Sequence, residues 1–163
     1  MTAARRALPV AAVVLLVAGI GACGDDGEGA CGPIRREALD PSYLVHVLGD
    51  EVDVDYTSDP PTSGPHQPGP PVEGALDDPI SLPIQVGILE RGDVLLQHDP
   101  DLAADDLAAL RDLAGERVVV APNPDLPDPI VATAWVYKRT CSAVDAAALQ
   151  EFIDERAGNG PEG

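Results

Sequence analysis

Three histidines stand in the chain, at His46, His66 and His98, and imidazole is the side chain best suited to bind a metal or move a proton near neutral pH. His66 closes the string Pro60-Pro61-Thr62-Ser63-Gly64-Pro65-His66. Proline fixes φ, Gly64 permits a tight bend, and Pro65 sets the approach to the ring. A loop stiffened in this way holds a ligand or a general base at small entropic cost. The plainer reading is a rigid solvated turn with an incidental histidine, and composition alone favours it. Asp59, Ser63 and His66 also supply the residue types of a hydrolase triad. Three such groups so close together in a proline-rich loop seldom reach triad geometry, and no Gly-x-Ser-x-Gly elbow exists. Gly-rich phosphate loops and Cys-x-x-Cys pairs are missing, and the acidic pairs Asp77-Asp78 and Asp105-Asp106 lack EF-hand spacing. An enzymatic role is disfavoured, and no catalytic residue is assigned. His98 follows a strand-like run and precedes Asp99-Pro100, a position more often a turn than a site. Nothing in the spacing requires the three histidines to converge.

The elements that must position these residues are read from periodicity. Tyr43 to Val47 alternates weakly, and Glu51 to Tyr56 more clearly, as possible first strands. Asp59 to Pro71 holds six prolines in thirteen residues, which excludes a helix or a central strand. Asp93 to Gln97 reads as a buried strand. Leu102 to Ala114 follows as a helix, with Ala103, Leu107, Leu110 and Ala114 on one stripe, Asp101 as N-cap and Gly115 just past the end. Arg117 to Ala121 is a β-branched strand, Pro122 to Pro129 a turn, and Ile130 to Tyr137 a further strand. Ser142 and Asp145 suggest a capping box opening a helix to about Arg156, with Leu149, Phe152 and Ile153 inward. The expected fold is a small single-domain α/β (α+β) sandwich. Its sheet is mixed and mainly antiparallel, with two principal helices on one face and a long proline-rich loop.

Residues 1–22 read as a lipoprotein signal peptide. Arg5 and Arg6 precede an apolar run from Ala7 to Ile20, and Gly21-Ala22 lead into Cys23. The ending Ile-Gly-Ala-Cys resembles a bacterial lipobox, which implies that Cys23 is lipidated and tethers the chain to the outer face of the cytoplasmic membrane. An uncleaved spanning anchor is the weaker alternative, since the run falls short of the about 20 residues it needs. Residues 23–30 are then the lipidated cysteine and a short tether reaching roughly 25 Å. Residues 31–157 form the globular domain, and 158–163 a frayed tail. Two cysteines remain, Cys31 and Cys141, in an oxidising compartment where they are expected to pair. Closing so long a loop contributes about 4–5 kcal/mol on the chain-entropy model. Removing the two basic residues before Cys23 takes the net charge from −18 to −20. That field excludes nucleic acid as a partner and disfavours lying flat on an anionic leaflet.

The string from Tyr56 through Pro60-Pro61-Thr62-Ser63-Gly64-Pro65-His66 resembles an uncharacterised bacterial family, domain of unknown function 3105. The resemblance continues through Leu89-Glu90-x-Gly92-x-Val94, the Pro122 turn, Thr133-Ala134-Trp135 and Cys141 to about Pro161-Glu162. It implies a secreted or membrane-anchored protein and brings no assigned activity. The family's second motif is typically His-x-Leu-Glu-His-Gly, and this chain has Gly87-Ile88-Leu89-Glu90-Arg91-Gly92. Two histidines four apart on a helical turn share a face, as metal ligands do, and the histidine of the proline loop could add a third nitrogen. Such a set suits zinc or copper. Here Gly87 offers no ligand, and Arg91 brings a fixed positive charge where a cation would sit. The resemblance therefore implies a degenerate site with no metal or other cofactor, in which an Arg91 salt bridge could take over a structural role.

Together these readings describe a lipid-anchored extracytoplasmic, non-enzymatic envelope or interaction protein. Its unidentified envelope partner would be met through the proline loop, with Thr62, Ser63, His66, Glu90, Arg91 and His46 as possible binding residues. The alternative is a zinc- or copper-binding envelope protein using His66, Glu90 and His46.

Overall fold

Aliphatic and β-branched runs dictate the centre of a six-stranded sheet. The computed structural model describes residues 29–49 and 54–162, so the signal segment and Cys23 lie outside it. In chain order the elements are β1 (Arg35–Arg36), β2 (Gly74–Ala75), α1 (Leu82–Glu90), β3 (Val94–His98), α2 (Ala104–Arg111), β4 (Val118–Pro122), β5 (Ile130–Ala134), β6 (Tyr137–Cys141) and α3 (Ala146–Arg156). The sheet runs β1-β6-β5-β3-β4-β2. β2, β4 and β3 are parallel, whereas β3, β5, β6 and β1 pair antiparallel. Every residue of β3, β4 and β5 is buried, as expected of strands covered on both faces.

Side chains alternate between those faces. Val94, Leu96, Val118 and Val120 pack with Leu110 of α2 and with Leu149, Phe152 and Ile153 of α3. Leu95, Val119 and Ala121 pack with Ile88 and Leu89 of α1. The mixed, mainly antiparallel sheet with two principal helices on one face is thus the observed architecture, and α1 adds a third helix on the other face. Cys31 and Cys141 form a disulfide that ties the start of the described chain to the end of β6.

Local expectations differ from the structure in several places. Tyr43 to Val47 is a turn followed by one bridge, His46 to His66. That ladder cannot lengthen, because Pro65 and Pro68 flank the partner strand and have no N–H to donate. Val54 to Tyr56 forms no strand, and Glu51 to Asp53 lie outside the described residues. Ile130 to Tyr137 is a hairpin turning at Trp135-Val136, with Val136 at φ 54°. The α2 helix starts at Ala104 with Ala103 as its cap, and Asp101 caps nothing. Asp145, not Ser142, caps α3, its carboxylate accepting from the Ala148 N–H at 3.0 Å. The segment after α3 is not frayed. The Gly158 N–H donates to Gly92 O at 2.7 Å and the Glu162 N–H to Glu90 O at 3.2 Å.

Candidate metal centre

The proline loop is an interior element. Thr62, Ser63 and His66 are at most 2% exposed, so the solvated turn that composition favours is corrected: the string is buried. Each turn of the loop is tied down. The Tyr56 hydroxyl donates to Pro65 O at 2.8 Å, and Ser63 Oγ accepts from the Asp40 N–H at 2.9 Å. The Val136 N–H donates to Thr62 O at 3.0 Å, and Lys138 Nζ to Asp59 O at 2.7 Å. Gly64, at φ 132°, lies over the Tyr56 ring, where a Cβ would stand 2.9 Å from Cδ1. Only glycine tolerates both conditions. Burial would raise the Asp40 carboxyl, but hydrogen bonds from Ser42 and Thr57 overcome it and leave its pKa lowered. Burial, aided by the Asp40 charge, pushes the Tyr56 phenol up to about 12. Burial likewise lowers the Lys138 ammonium against the attraction of Glu37 and Asp59.

That scaffold delivers His66 to the end of α1. The His66 N–H donates to Val45 O at 3.0 Å, and the Val47 N–H to His66 O at 2.8 Å. The bridge sets the His46 ring beside His66, with centroids 4.7 Å apart. His66 Nδ1 lies 3.2 Å from Gly64 O. A carbonyl only accepts, so Nδ1 donates to it, and Nε2 is the nitrogen turned toward the end of α1. Glu90, the last residue of α1, brings Oε2 to 2.6 Å from that Nε2. At that separation a proton or a cation must lie between the two atoms, and the His66 ring is buried. His46, His66 and Glu90 each place one ligand atom within 4.8 Å of the others. Burial raises the Glu90 carboxyl above its usual range; His66 pulls it down and Glu162 pushes it up, and the net direction is upward.

Around the site, the sequence-based assignments divide. Arg91 does not pair with Glu90. Its Nη2 lies 2.9 Å from Asp93 Oδ2, and Arg117 Nη1 lies 3.5 Å from Asp93 Oδ1. The expected positive charge is thus paired with the nearly buried Asp93, while Arg91 also lines the cavity beside Glu90. Gly87 is glycine for a steric reason, since a Cβ there would meet Gln67 O at 2.8 Å. The proline loop rests directly on α1. Gly92, at φ 83°, ends that helix in a Schellman motif: its N–H donates to Leu89 O at 3.0 Å and the Asp93 N–H to Ile88 O at 3.2 Å. His98 lies elsewhere, its Nδ1 2.8 Å from Asp99 O. Ser63 makes no hydrogen bond to His66 among the described residues, so the triad types form no triad.

The group opens to solvent through a cavity of about 130 Å³ lined by His46, Gln67, Gly87, Glu90, Arg91 and, from the C-terminal tail, Glu162. Sequence reasoning gave Glu162 no role, placing it only at the end of the family resemblance, in a Gly-rich stretch read as frayed. Exposed apolar side chains concentrate beside His46, at Leu44, Val45 and Leu48. No helix among the described residues is long and apolar enough to cross a membrane.

No curated protein and no solved structure matches the chain. A family model described as a protein of unknown function (DUF3105) matches residues 46–163, a span that includes His46, the proline loop, Glu90 and the tail, and the chain belongs to that family.

Proposed function

We propose that this is a lipid-anchored extracytoplasmic protein that binds a divalent transition metal, zinc or copper, through His66 Nε2, Glu90 and His46, with no catalytic role. One observation carries the reading: a buried imidazole whose Nδ1 faces the Gly64 carbonyl and whose Nε2 converges with a carboxylate and a second imidazole, all within 4.8 Å. Metal-bound histidines are commonly oriented in this way by a backbone acceptor on the far nitrogen. Ligands about 2.0–2.1 Å from a tetrahedral zinc stand about 3.3 Å from one another. The observed separations, 2.6 Å between His66 and Glu90 and up to 4.8 Å within the group, bracket that value. Side-chain rotation alone can adjust them, because His46 is exposed and Glu90 lies at a helix end.

The reading differs from the degenerate site implied by the family motif, since Arg91 is paired with Asp93. Full chain purified in detergent and equilibrated with zinc, then with copper, is expected to retain about one metal per chain by mass spectrometry. His66→Ala should lose the metal and His98→Ala should keep it. Metal at background in the unaltered chain would sink the proposal.

A further inference from the structure

We infer that Glu162 is the fourth ligand of this centre, so that zinc fastens the C-terminal tail to the end of α1. The inference rests on the metal-binding reading and deepens it. Two imidazoles and one carboxylate leave a zinc one donor short of the four that close a structural site. Glu162 lines the same cavity as His46 and Glu90, and its backbone is already held there by the bond from its N–H to Glu90 O at 3.2 Å.

The approach of the tail is specific. Gly158, at φ 82°, turns the chain out of α3 and donates to Gly92 O at 2.7 Å. Gly160 then lies flat against the Glu90–Gly92 turn, so close that an added Cβ would collide with Gly92 N and Glu90 O. On the other side, a Cβ on Gly92 would stand 2.9 Å from Gly160 N. Two glycines face each other so that two backbones can meet, and the residue this contact delivers to the cavity carries a carboxylate. That placement gathers two carboxylates, Glu90 and Glu162, in one cavity with Arg91, whose guanidinium is paired with Asp93, and the two like charges repel. A divalent ion bound by both removes the conflict. Two nitrogens and two carboxylate oxygens in a tetrahedral set suit Zn²⁺, whereas Cu²⁺ favours a square-planar arrangement and Cu⁺ selects soft sulfur donors. With four protein donors no open position remains, so the centre is structural.

The test compares zinc affinity of the full chain in detergent with that of Glu162→Gln, and follows hydrogen exchange in residues 158–162 with and without zinc. Glu116→Gln, in the neighbouring acidic cleft, controls for general loss of negative charge. Glu162→Gln should weaken zinc about 10–100-fold and abolish the protection that zinc gives the tail, while Glu116→Gln changes affinity less than about twofold. Unaltered affinity and protection in Glu162→Gln would overturn the fourth-ligand assignment alone, provided that His66→Ala still abolishes binding. An equal loss in both Glu→Gln variants would also overturn it, as bulk electrostatics. Failure of the unaltered chain to bind zinc would overturn the metal reading itself.

Discussion

At the residue scale, His66 is held by its neighbours more than by its own side chain. Tyr56 is the clearest case: its hydroxyl donates to Pro65 O, and its ring supports Gly64. The phenol's pKa rises from 10.0 to about 12 on folding, through burial first and the Asp40 charge second. The native state therefore holds this proton more tightly than the unfolded chain does. The resulting stability is complete below pH 10 and is lost as pH rises through about 12. Ultraviolet titration of the three tyrosines should show one ionising late, and Tyr56→Phe should remove that late step. A late step that survives in Tyr56→Phe would contradict the assignment. The importance of His66 was legible in its string, because prolines and a glycine at those positions leave one backbone path. Its tautomer was not, since that depends on which carbonyl the loop brings to Nδ1. The salt bridge expected of Arg91 is present, made to Asp93, but its geometry was hidden for a similar reason. A sequence shows that Arg91 and Asp93 are near neighbours but not that the turn at Gly92 aims them at each other.

At the element scale, α1 is the one helix among the described residues that periodicity did not reveal. Its run Leu82–Glu90 is buried on almost every side, between the sheet and the proline loop. A helix covered all round shows no polar stripe for a 3.6-residue pattern to detect. The Trp135-Val136 turn was hidden by the opposite mismatch. Two-residue hairpins favour Asn or Gly, whereas here a β-branched residue takes positive φ at a cost of about 1–2 kcal/mol. Two bonds hold it, from the Val136 N–H to Thr62 O and from the Glu37 N–H to Val136 O. By contrast, β3, β4 and α3 were legible because their patterns and cap residues agree with their burial. The contact of α1 with the loop gives a prediction with an unusual sign. Alanine for glycine inside a helix normally stabilises by about 1 kcal/mol. At Gly87 the new Cβ would meet Gln67 O at 2.8 Å, and overpacking of that kind costs about 1–3 kcal/mol. Gly87→Ala should therefore lower the midpoint of chemical denaturation, and a raised midpoint would show that the loop does not rest on the helix.

At the scale of the whole molecule, the sheet, the disulfide and the tail all hold distant segments to one rigid body. The disulfide spans 110 residues of sequence and followed from simple cysteine accounting. Sheet order did not, because strand patterns carry no information on which neighbour each strand will choose. The anchoring reading also belongs here. Cys23→Ser should block lipidation and leave the signal segment uncleaved, so that the longer precursor accumulates. Processing to the mature length unchanged in that variant would refute lipidation. The two outermost strands have a separate consequence. β1 and β2 are each two residues long, and β1 consists of two exposed arginines. An open sheet invites growth by strand addition wherever an edge is long, flat and apolar. These edges are too short and, at β1, too charged to template another copy. The fold should therefore stay unpolymerised when many copies crowd together, even though its four central strands are among the most β-prone sequences in the chain.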